Sequence, residues 1–192
     1  MAFREFSIEN LAGKTPPART YLWLVFITPI SSSGPSDLLT AYARKCGIPS
    51  LDMGEQTITY MNSRFYIATR KDWSTTDVTF LDNEKGEIYG MFYRWHLRMY
   101  NVEGAGEGAV PKEYKSRMDI HRLTVKGDTI DEFQFYGVWP KTVSALDMDY
   151  EADGATTFSV TFRYDFFLRN PNQDTFYEGF PSSDLSVPGI GF

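Results

Sequence analysis

The segment from Glu132 to Phe167 constrains the fold most strongly, because aromatic and β-branched residues crowd both sides of one acidic turn. From Phe158 to Phe166 the even-numbered positions are apolar and the odd-numbered positions are polar. A two-residue period of this kind predicts a strand with one face in a core and the other face in water. The segment therefore predicts two strands of a sheet that is wet on one side.

Patterns elsewhere in the chain predict further strands and two helices. The run from Tyr21 to Ile27 is apolar throughout, as expected for a strand buried on both faces. Alternation from Glu55 to Arg70 breaks at Asn62 and Ser63, which indicates a hairpin. Apolar residues at steps of three and four predict one helix from Ser36 to Cys46 and another from Asp82 to Met99.

These elements predict one β-rich α+β domain, in which two packed antiparallel sheets form a sandwich or barrel flanked by one or two helices. A chain of 192 residues is long enough to bury one core. We expect an N-terminal arm at residues 1–20, a core at 20–168 with a protruding hairpin, and an extended C-terminal tail at 170–192. The tail contains three Pro, three Gly and no Lys or Arg, and neither end shows a sustained period.

The net charge, the cysteine content and the length of the apolar runs argue against several classes of protein. The formal net charge is -6, and basic residues occur as pairs such as Arg44-Lys45 and Arg70-Lys71 instead of a basic patch. Specific nucleic-acid binding is therefore not expected. A single cysteine excludes a disulfide within the chain and fits a reducing cytoplasm. The longest apolar run, Tyr21 to Ile27, is too short to span a bilayer, so we expect a soluble protein with no membrane partner.

Candidate catalytic residues are few. His96 and His121 are isolated, without a nearby Ser, Cys or His in a known pattern, so a structural role is the better interpretation. Cys46 falls on the apolar face of a predicted helix, which indicates a buried, inert thiol. Gly104 to Gly108 lacks the spacing of a nucleotide-binding loop and predicts a flexible segment. We therefore expect no enzyme activity and no cofactor.

Acidic and aromatic residues leave two alternatives open. Acidic residues alternate from Asp147 to Asp153 and can bind a hard cation, but they lack the EF-hand pattern, which favours a solvated turn and no metal site. The chain has 12 Tyr and 15 Phe, which suits a β-rich core or a protein–protein interface. A carbohydrate-binding β-sandwich remains an alternative, and it would need exposed coplanar rings around a concave site.

The order of these elements resembles the tail tube proteins of contractile-tailed bacteriophages. The resemblance covers Thr20 to Leu168 and is closest from Phe135 to Phe167, where an aromatic strand, a G-x-W-P-K turn and a Thr/Phe-rich strand follow one another. Four other parts of the chain also support the resemblance: the apolar run before Pro29, the helix before Cys46, the hairpin, and the segment from Asp77 to Tyr100. The tube of type VI secretion, or of another contractile injection system, is similar in fold and remains an alternative.

The resemblance implies a structural virion protein. Six copies would form a ring whose inner sheets join into one barrel around a lumen, and rings would stack into a tube inside a contractile sheath. The implied partners are other copies of the chain, the tail sheath protein, and the baseplate hub and tail terminator proteins. DNA would pass through the lumen without specific binding. The protein would be assembled in the bacterial host cytoplasm and would reside in the phage tail.

Three sets of residues become candidates for this assembly. The first set would face a lumen that is negative or weakly charged and not basic, and its one Arg counts against a purely acidic wall unless an acidic neighbour neutralises it: Glu55, Thr57, Thr59, Asp147, Asp149, Ser159, Thr161 and Arg163. The second set lies at the hairpin tip and reaches the adjacent ring: Tyr60, Met61, Asn62, Ser63, Arg64 and Phe65. The third set lies in the tail and contacts neighbouring subunits: Phe176, Tyr177, Phe180 and Phe192. Alternation alone is equally compatible with a monomeric sandwich.

Overall fold

The protein is described here from a computed structural model. The structure describes residues 18–28, 36–100, 108–146, 148–149, 151 and 153–170. Most of the predicted arm and all of the tail beyond Asn170 lie outside the described residues. In the described part of the chain, no helix is long and apolar enough to cross a membrane.

Nine strands and three helices are present in the described ranges. The strands are β1 (Trp23–Ile27), β2 (Ala43–Cys46), β3 (Glu55–Tyr60), β4 (Ser63–Ala68), β5 (Thr76–Leu81), β6 (Ser116–Leu123), β7 (Thr129–Val143), β8 (Thr157–Arg163) and β9 (Phe166–Arg169). The helices are α1 (Ser36–Tyr42), α2 (Glu87–Met99) and α3 (Pro111–Tyr114).

Strand β7 belongs to two antiparallel sheets. Its first half pairs with β6 and β9, and β6 pairs with β1; these four strands form sheet A. Its second half pairs with β8, and the order continues through β5 to β2; these four strands form sheet B. Inward-facing residues of both sheets and of α2 form one hydrophobic core. The predicted fold class is therefore confirmed, although the sheet stays open and does not close into a barrel within the chain.

The G-x-W-P-K sequence lies inside β7, so the prediction of a turn there is wrong. Gly137 has a φ of 66°, and this bend carries the strand from sheet A to sheet B. The Asp165 carboxylate lies where a Cβ atom of residue 137 would be, with Cγ 2.6 Å from that position. The Asp165 N–H donates to the Tyr136 carbonyl at 2.9 Å. Pro140 is tolerated because it adjoins a register irregularity.

A second irregularity separates β8 from β9. Phe158, Val160, Phe162 and Tyr164 are all buried, as the alternation predicts. The strand then breaks at Asp165, so Phe167 is buried and Phe166 instead stacks on Tyr136 with ring centroids 4.8 Å apart. The prediction that Phe166 shares the apolar face is wrong, because an additional residue between two strands reverses the alternation.

Helix α2 follows its sequence pattern, whereas α1 is shorter than predicted. Asn83 Oδ1 accepts a hydrogen bond from the Glu87 N–H at 2.8 Å, and Ile88, Met91, Phe92 and Trp95 are buried. Helix α1 ends at Tyr42, because Ala43–Cys46 pairs with β5 instead of continuing the helix. Tertiary pairing here overrides the local helical period. Helix α3 is a short helix that the sequence pattern did not predict.

Cys46 therefore lies in a strand and not on a helical face. Burial raises the pKa of its thiol to about 12, so the thiol is protonated at neutral pH. A protonated thiol is a poor nucleophile, which agrees with the expectation of an inert cysteine.

His96 makes the folded protein sensitive to acid. Burial lowers the pKa of its imidazole, and Nε2 has no hydrogen-bond partner among the described residues. Below the ordinary histidine pKa of about 6.5, the unfolded chain takes up a proton that the folded chain resists. We expect the free energy of unfolding to fall between pH 7.5 and 5.5, and to fall less in a His96→Leu variant. Urea denaturation at both pH values measures this, and equal losses in the two proteins would contradict it.

Candidate assembly surfaces

The hairpin of β3 and β4 protrudes from the rest of the fold. All twelve of its strand residues are exposed, and it forms a separate two-stranded sheet. At its base the Thr69 N–H donates to the Gly54 carbonyl at 2.7 Å. The turn lies at Met61 and Asn62, one residue earlier than predicted, and Met61 has a φ of 51°. Because an isolated hairpin is only marginally stable in water, this element needs a partner surface.

The two faces of the hairpin differ in chemistry. Ile58 pairs with Phe65, and Tyr60 and Ile67 lie on the same face; these four side chains are 40% to 72% exposed. The opposite face carries three of the predicted lumen residues, Glu55, Thr57 and Thr59, together with Arg64 and Tyr66. The hairpin is thus a ribbon with one apolar face that the described residues leave uncovered.

The outer face of sheet B is polar. Ser159 and Thr161 lie on β8 opposite the core, and each is bonded to β5. The hydroxyls of Ser159 and Thr79 are 3.0 Å apart, and the Thr161 hydroxyl donates to Asp77 Oδ1 at 2.6 Å. Arg163 is exposed at the end of the strand. This side-chain ladder gives sheet B a hydroxyl-rich surface with few charges.

The remaining predicted lumen residues do not join these surfaces. Asp149 lies in the connection between β7 and β8, which agrees with the predicted solvated turn but does not place Asp149 on a strand that could face a lumen. The ladder between β7 and β8 ends at Val143, which leaves Asp149 in a solvated turn. Asp147 lies outside the described residues, as do the tail candidates Phe176, Tyr177, Phe180 and Phe192.

Both ends of sheet B have unpaired strand edges among the described residues. Strand β2 pairs with β5 on one side only. Residues Trp139–Val143 of β7 pair with β8 on one side only, because the ladder with β6 begins at Val138. Unpaired edges offer N–H and C=O groups that attract a strand from another chain. Sheet B is thus able to continue into sheets of neighbouring copies.

A buried carboxylate holds the end of β9. Asp131 is 4% exposed and accepts hydrogen bonds from Arg122 at 2.8 Å, from Arg169 at 2.7 Å and from Asn170 at 3.2 Å. Burial by itself raises the pKa of Asp131, but the hydrogen bonds and the two guanidinium groups outweigh burial and hold the pKa below its usual range. The point where the tail leaves the domain is therefore fixed.

We expect an Asp131→Ala variant to lose about 2 kcal/mol of folding free energy, because it leaves partly buried donors without their acceptor. Since the native pKa is depressed, the contribution of Asp131 is present above the unfolded pKa of about 4 and is lost as pH falls through the native pKa. Urea denaturation at pH 7 measures the loss, with the exposed Asp128→Ala as control. Equal stability of the two variants would contradict the assignment.

Among the described residues, no three His, Cys, Asp or Glu side chains come together as a metal site.

A comparison with protein families identifies the chain: the family described as phage tail tube protein matches residues 19–170. This chain belongs to the phage tail tube protein family. The match spans both sheets, all three helices and the hairpin, so it covers the candidate assembly surfaces.

Solved structures show the same fold for this tail tube protein. A chain of the anti-feeding prophage tube-terminating cap is 12% identical with a TM-score of 0.55, and the match covers 88% of this chain and 98% of that one. A chain of the anti-feeding prophage baseplate is 12% identical with a TM-score of 0.56, covering 81% and 97%. A chain of the PVC sheath-tube complex, from an extracellular contractile injection system, is 12% identical with a TM-score of 0.53, covering 85% and 97%. A search of curated proteins finds no match.

Sequence reasoning missed one concave surface of this tail tube protein. It lies beside the β7 bend and is lined by residues from four separate parts of the chain, including Trp73, Tyr114, Trp139 and Arg163. Periodicity reports only which face of its own element a side chain occupies. The sequence carries no signal that brings these four segments together.

Proposed function

We propose that six copies of this tail tube protein form a ring, and that rings stack into the inner tube of a contractile phage tail through which DNA enters the host. The observation that carries the proposal is the protruding hairpin, whose apolar face is not covered by any part of the chain that the structure describes. Membership of the tail tube family and the fold shared with chains of contractile injection systems support it. The role is structural and requires no catalysis and no cofactor.

Ring closure uses the edges of sheet B. In this proposal the free edge of β2 in one copy pairs with Trp139–Val143 of the next, so that the sheets of all copies form a continuous barrel. Closing sheet B in this way removes both of its unpaired edges. The hydroxyl-rich outer face of sheet B then lines the lumen, and the core lies behind it.

Stacking uses the hairpin. Strands of six residues extend about 20 Å, which is enough to reach beyond a compact ring layer. The apolar face then packs against the adjacent ring. Residues Tyr60 to Phe65, at the tip, make the most distant contacts.

The proposed lumen does not attract DNA strongly. Ser159, Thr161 and Thr79 are uncharged, and Asp77 offsets part of the charge of Lys45 and Arg163. DNA that must leave quickly is better served by such a wall, because each Lys or Arg contact with phosphate strengthens binding through counterion release. Glu55 on the polar face of the hairpin adds negative charge in the same proposal.

A basic lumen is expected to retain DNA. We expect tubes of a Ser159→Arg and Thr161→Arg double variant to bind short DNA duplexes with an affinity that falls steeply with salt, whereas wild-type tubes bind weakly at all salt concentrations. Cosedimentation of tubes with labelled DNA measures this. Val125→Arg and Asp128→Asn, which together change the charge of the β6–β7 turn by the same amount, serve as the control. Strong DNA binding by wild-type tubes would contradict the proposed wall.

The partners follow from the same role. We propose that the outside of the tube contacts a tail sheath protein and that its ends contact the baseplate hub and the tail terminator, with assembly in the host cytoplasm.

The fold shared with chains of extracellular contractile injection systems favours a second candidate function, a tube that carries protein instead of DNA. Nuclease-protected DNA in purified particles distinguishes the two candidates.

Light scattering and negative-stain electron microscopy of the purified chain test the proposal. We expect rings and tubes whose mass grows with protein concentration. A protein that remains monomeric at high concentration, with no rings or tubes on the grid, would overturn it.

A further inference from the structure

An aromatic groove lies where β7 passes from sheet A to sheet B, and its volume is about 450 Å³. Tyr114 meets Trp139 edge to face, with ring centroids 6.3 Å apart at 84°. The Nζ atom of Lys71 lies over the Trp73 ring, 3.9 Å from its centroid. The linker from the hairpin, α3, β7 and β8 therefore bring three large rings to one open surface.

The groove also holds positive charge that its own residues do not offset fully. Lys115 is neutralised, because its Nζ donates to both oxygens of Asp165 at 2.7 Å. Lys71 lies over the Trp73 ring, and neither Lys71 nor Arg163 has an ion-pair partner among the described residues. Asp72 is the one remaining acid in the lining. Rings flanked by unpaired cations suit an extended segment that carries both aromatic and acidic side chains.

The tail of this chain contains such a segment. Between residues 171 and 192 there are three acids and no Lys or Arg. In an extended segment, alternate residues share a face. Asp174, Phe176, Glu178 and Phe180 would thus present acid, ring, acid and ring on one side. These acids and rings match the cations and rings that line the groove.

We propose that the groove binds residues 174–180 of the tail from a neighbouring copy, an inference that rests on the proposed ring and tube. Strand β9 runs from Phe166, beside the groove, to Arg169 at the opposite end, about 10 Å away. Asp131 and Asn170 hold this far end, so the described part of the chain ends at Asn170, at the end of β9 that lies away from its own groove. An acid of the bound tail then neutralises Arg163, which would otherwise add positive charge to the hydroxyl-rich face of sheet B.

Zero-length cross-linking of the full chain tests the inference. Light and ¹⁵N-labelled chains are mixed before assembly, and a carbodiimide then joins carboxylates to lysine amines that are in direct contact. We expect cross-links from Asp174 or Glu178 to Lys71 or Lys115, with half of the cross-linked pairs containing one light and one heavy chain. Cross-links that reach the exposed Lys126 equally often, or that join only chains of the same label, would overturn the proposal.

Charge reversal gives a second, independent readout. An Arg163→Glu variant is expected to lose at least tenfold in the yield of cross-links to Lys71, and a Glu178→Arg change in the same chain is expected to restore the cross-links from Asp174. Lys126→Glu is the matched control, which should leave the yield unchanged. Tubes that form normally without groove cross-links would refute the tail site and leave the proposed function intact. A protein that forms no rings or tubes refutes the proposed function instead.

Discussion

Replacing Ile58 and Phe65 by Thr is expected to abolish tube formation while leaving the single chain as stable as before. Both side chains pair across the hairpin on its apolar face, and they are 44% and 65% exposed. Their loss removes no contact from the core. About half of each side chain is already covered in the single chain, so burying the rest of both contributes about 1.5–3 kcal/mol per subunit to a contact between rings. Because six subunits act together in each ring, the loss is large enough to prevent stacking.

Electron microscopy and sedimentation measure assembly, and urea denaturation measures the stability of the subunit. Val125→Thr is the matched control, because Val125 is 74% exposed in the β6–β7 turn and lies outside the hairpin. The control should form tubes of normal length. Normal tubes from the hairpin variant would show that the apolar face is not the stacking surface, whereas loss of subunit stability would show that the hairpin belongs to the folded core.

The second large effect is expected at the bend of β7. A Gly137→Ala variant should lose about 3 kcal/mol or more of folding free energy. A side chain in the left-handed region costs about 1–2 kcal/mol. The added Cβ would also displace the Asp165 carboxylate, and with it the ion pair to Lys115. Since β8 and β9 both pair with β7 around this bend, a shift there disturbs both sheets.

A Gly127→Ala variant separates the conformational cost of a side chain at positive φ from the cost of displacing the Asp165 carboxylate. Gly127 has a φ of 93°, but a Cβ atom there would have no neighbour within 4 Å. This control therefore reports the conformational cost alone. Removing the obstructing carboxylate, in a Gly137→Ala and Asp165→Ala double variant, should recover part of the loss. Urea denaturation of all three variants measures these differences, and Gly137→Ala being no worse than Gly127→Ala would contradict the account of the bend.

Sequence patterns predicted the elements that have a strong period of their own. Helix α2, the hairpin and the alternation in β8 are all confirmed, because each buries or exposes one regular face. Patterns failed where pairing between distant strands decides the structure. Residues Ala43–Cys46 continue a helical period but pair with β5, and Gly137 to Lys141 resembles a turn but lies within β7.

Local sequence patterns likewise predict some of the candidate surfaces and miss others. The polar face of β8 follows from a two-residue period, and so does the difference between the two faces of the hairpin. The groove beside the β7 bend depends on contacts among segments up to about ninety residues apart, which no local pattern reports. The break between β8 and β9 at Asp165 decides which residues of β9 are buried and places Asp165 in the groove. The sequence does not show this break, because it depends on the pairing with β7 opposite Gly137.

Helical reconstruction of assembled tubes by electron cryomicroscopy tests the central claim most directly. The account predicts six subunits in each ring, with the apolar face of each hairpin packed on the adjacent ring and Ser159 and Thr161 facing the lumen. A tube whose lumen is lined by sheet A, with Leu24 and Phe26 facing the channel and the apolar face of the hairpin left in solvent, would contradict it.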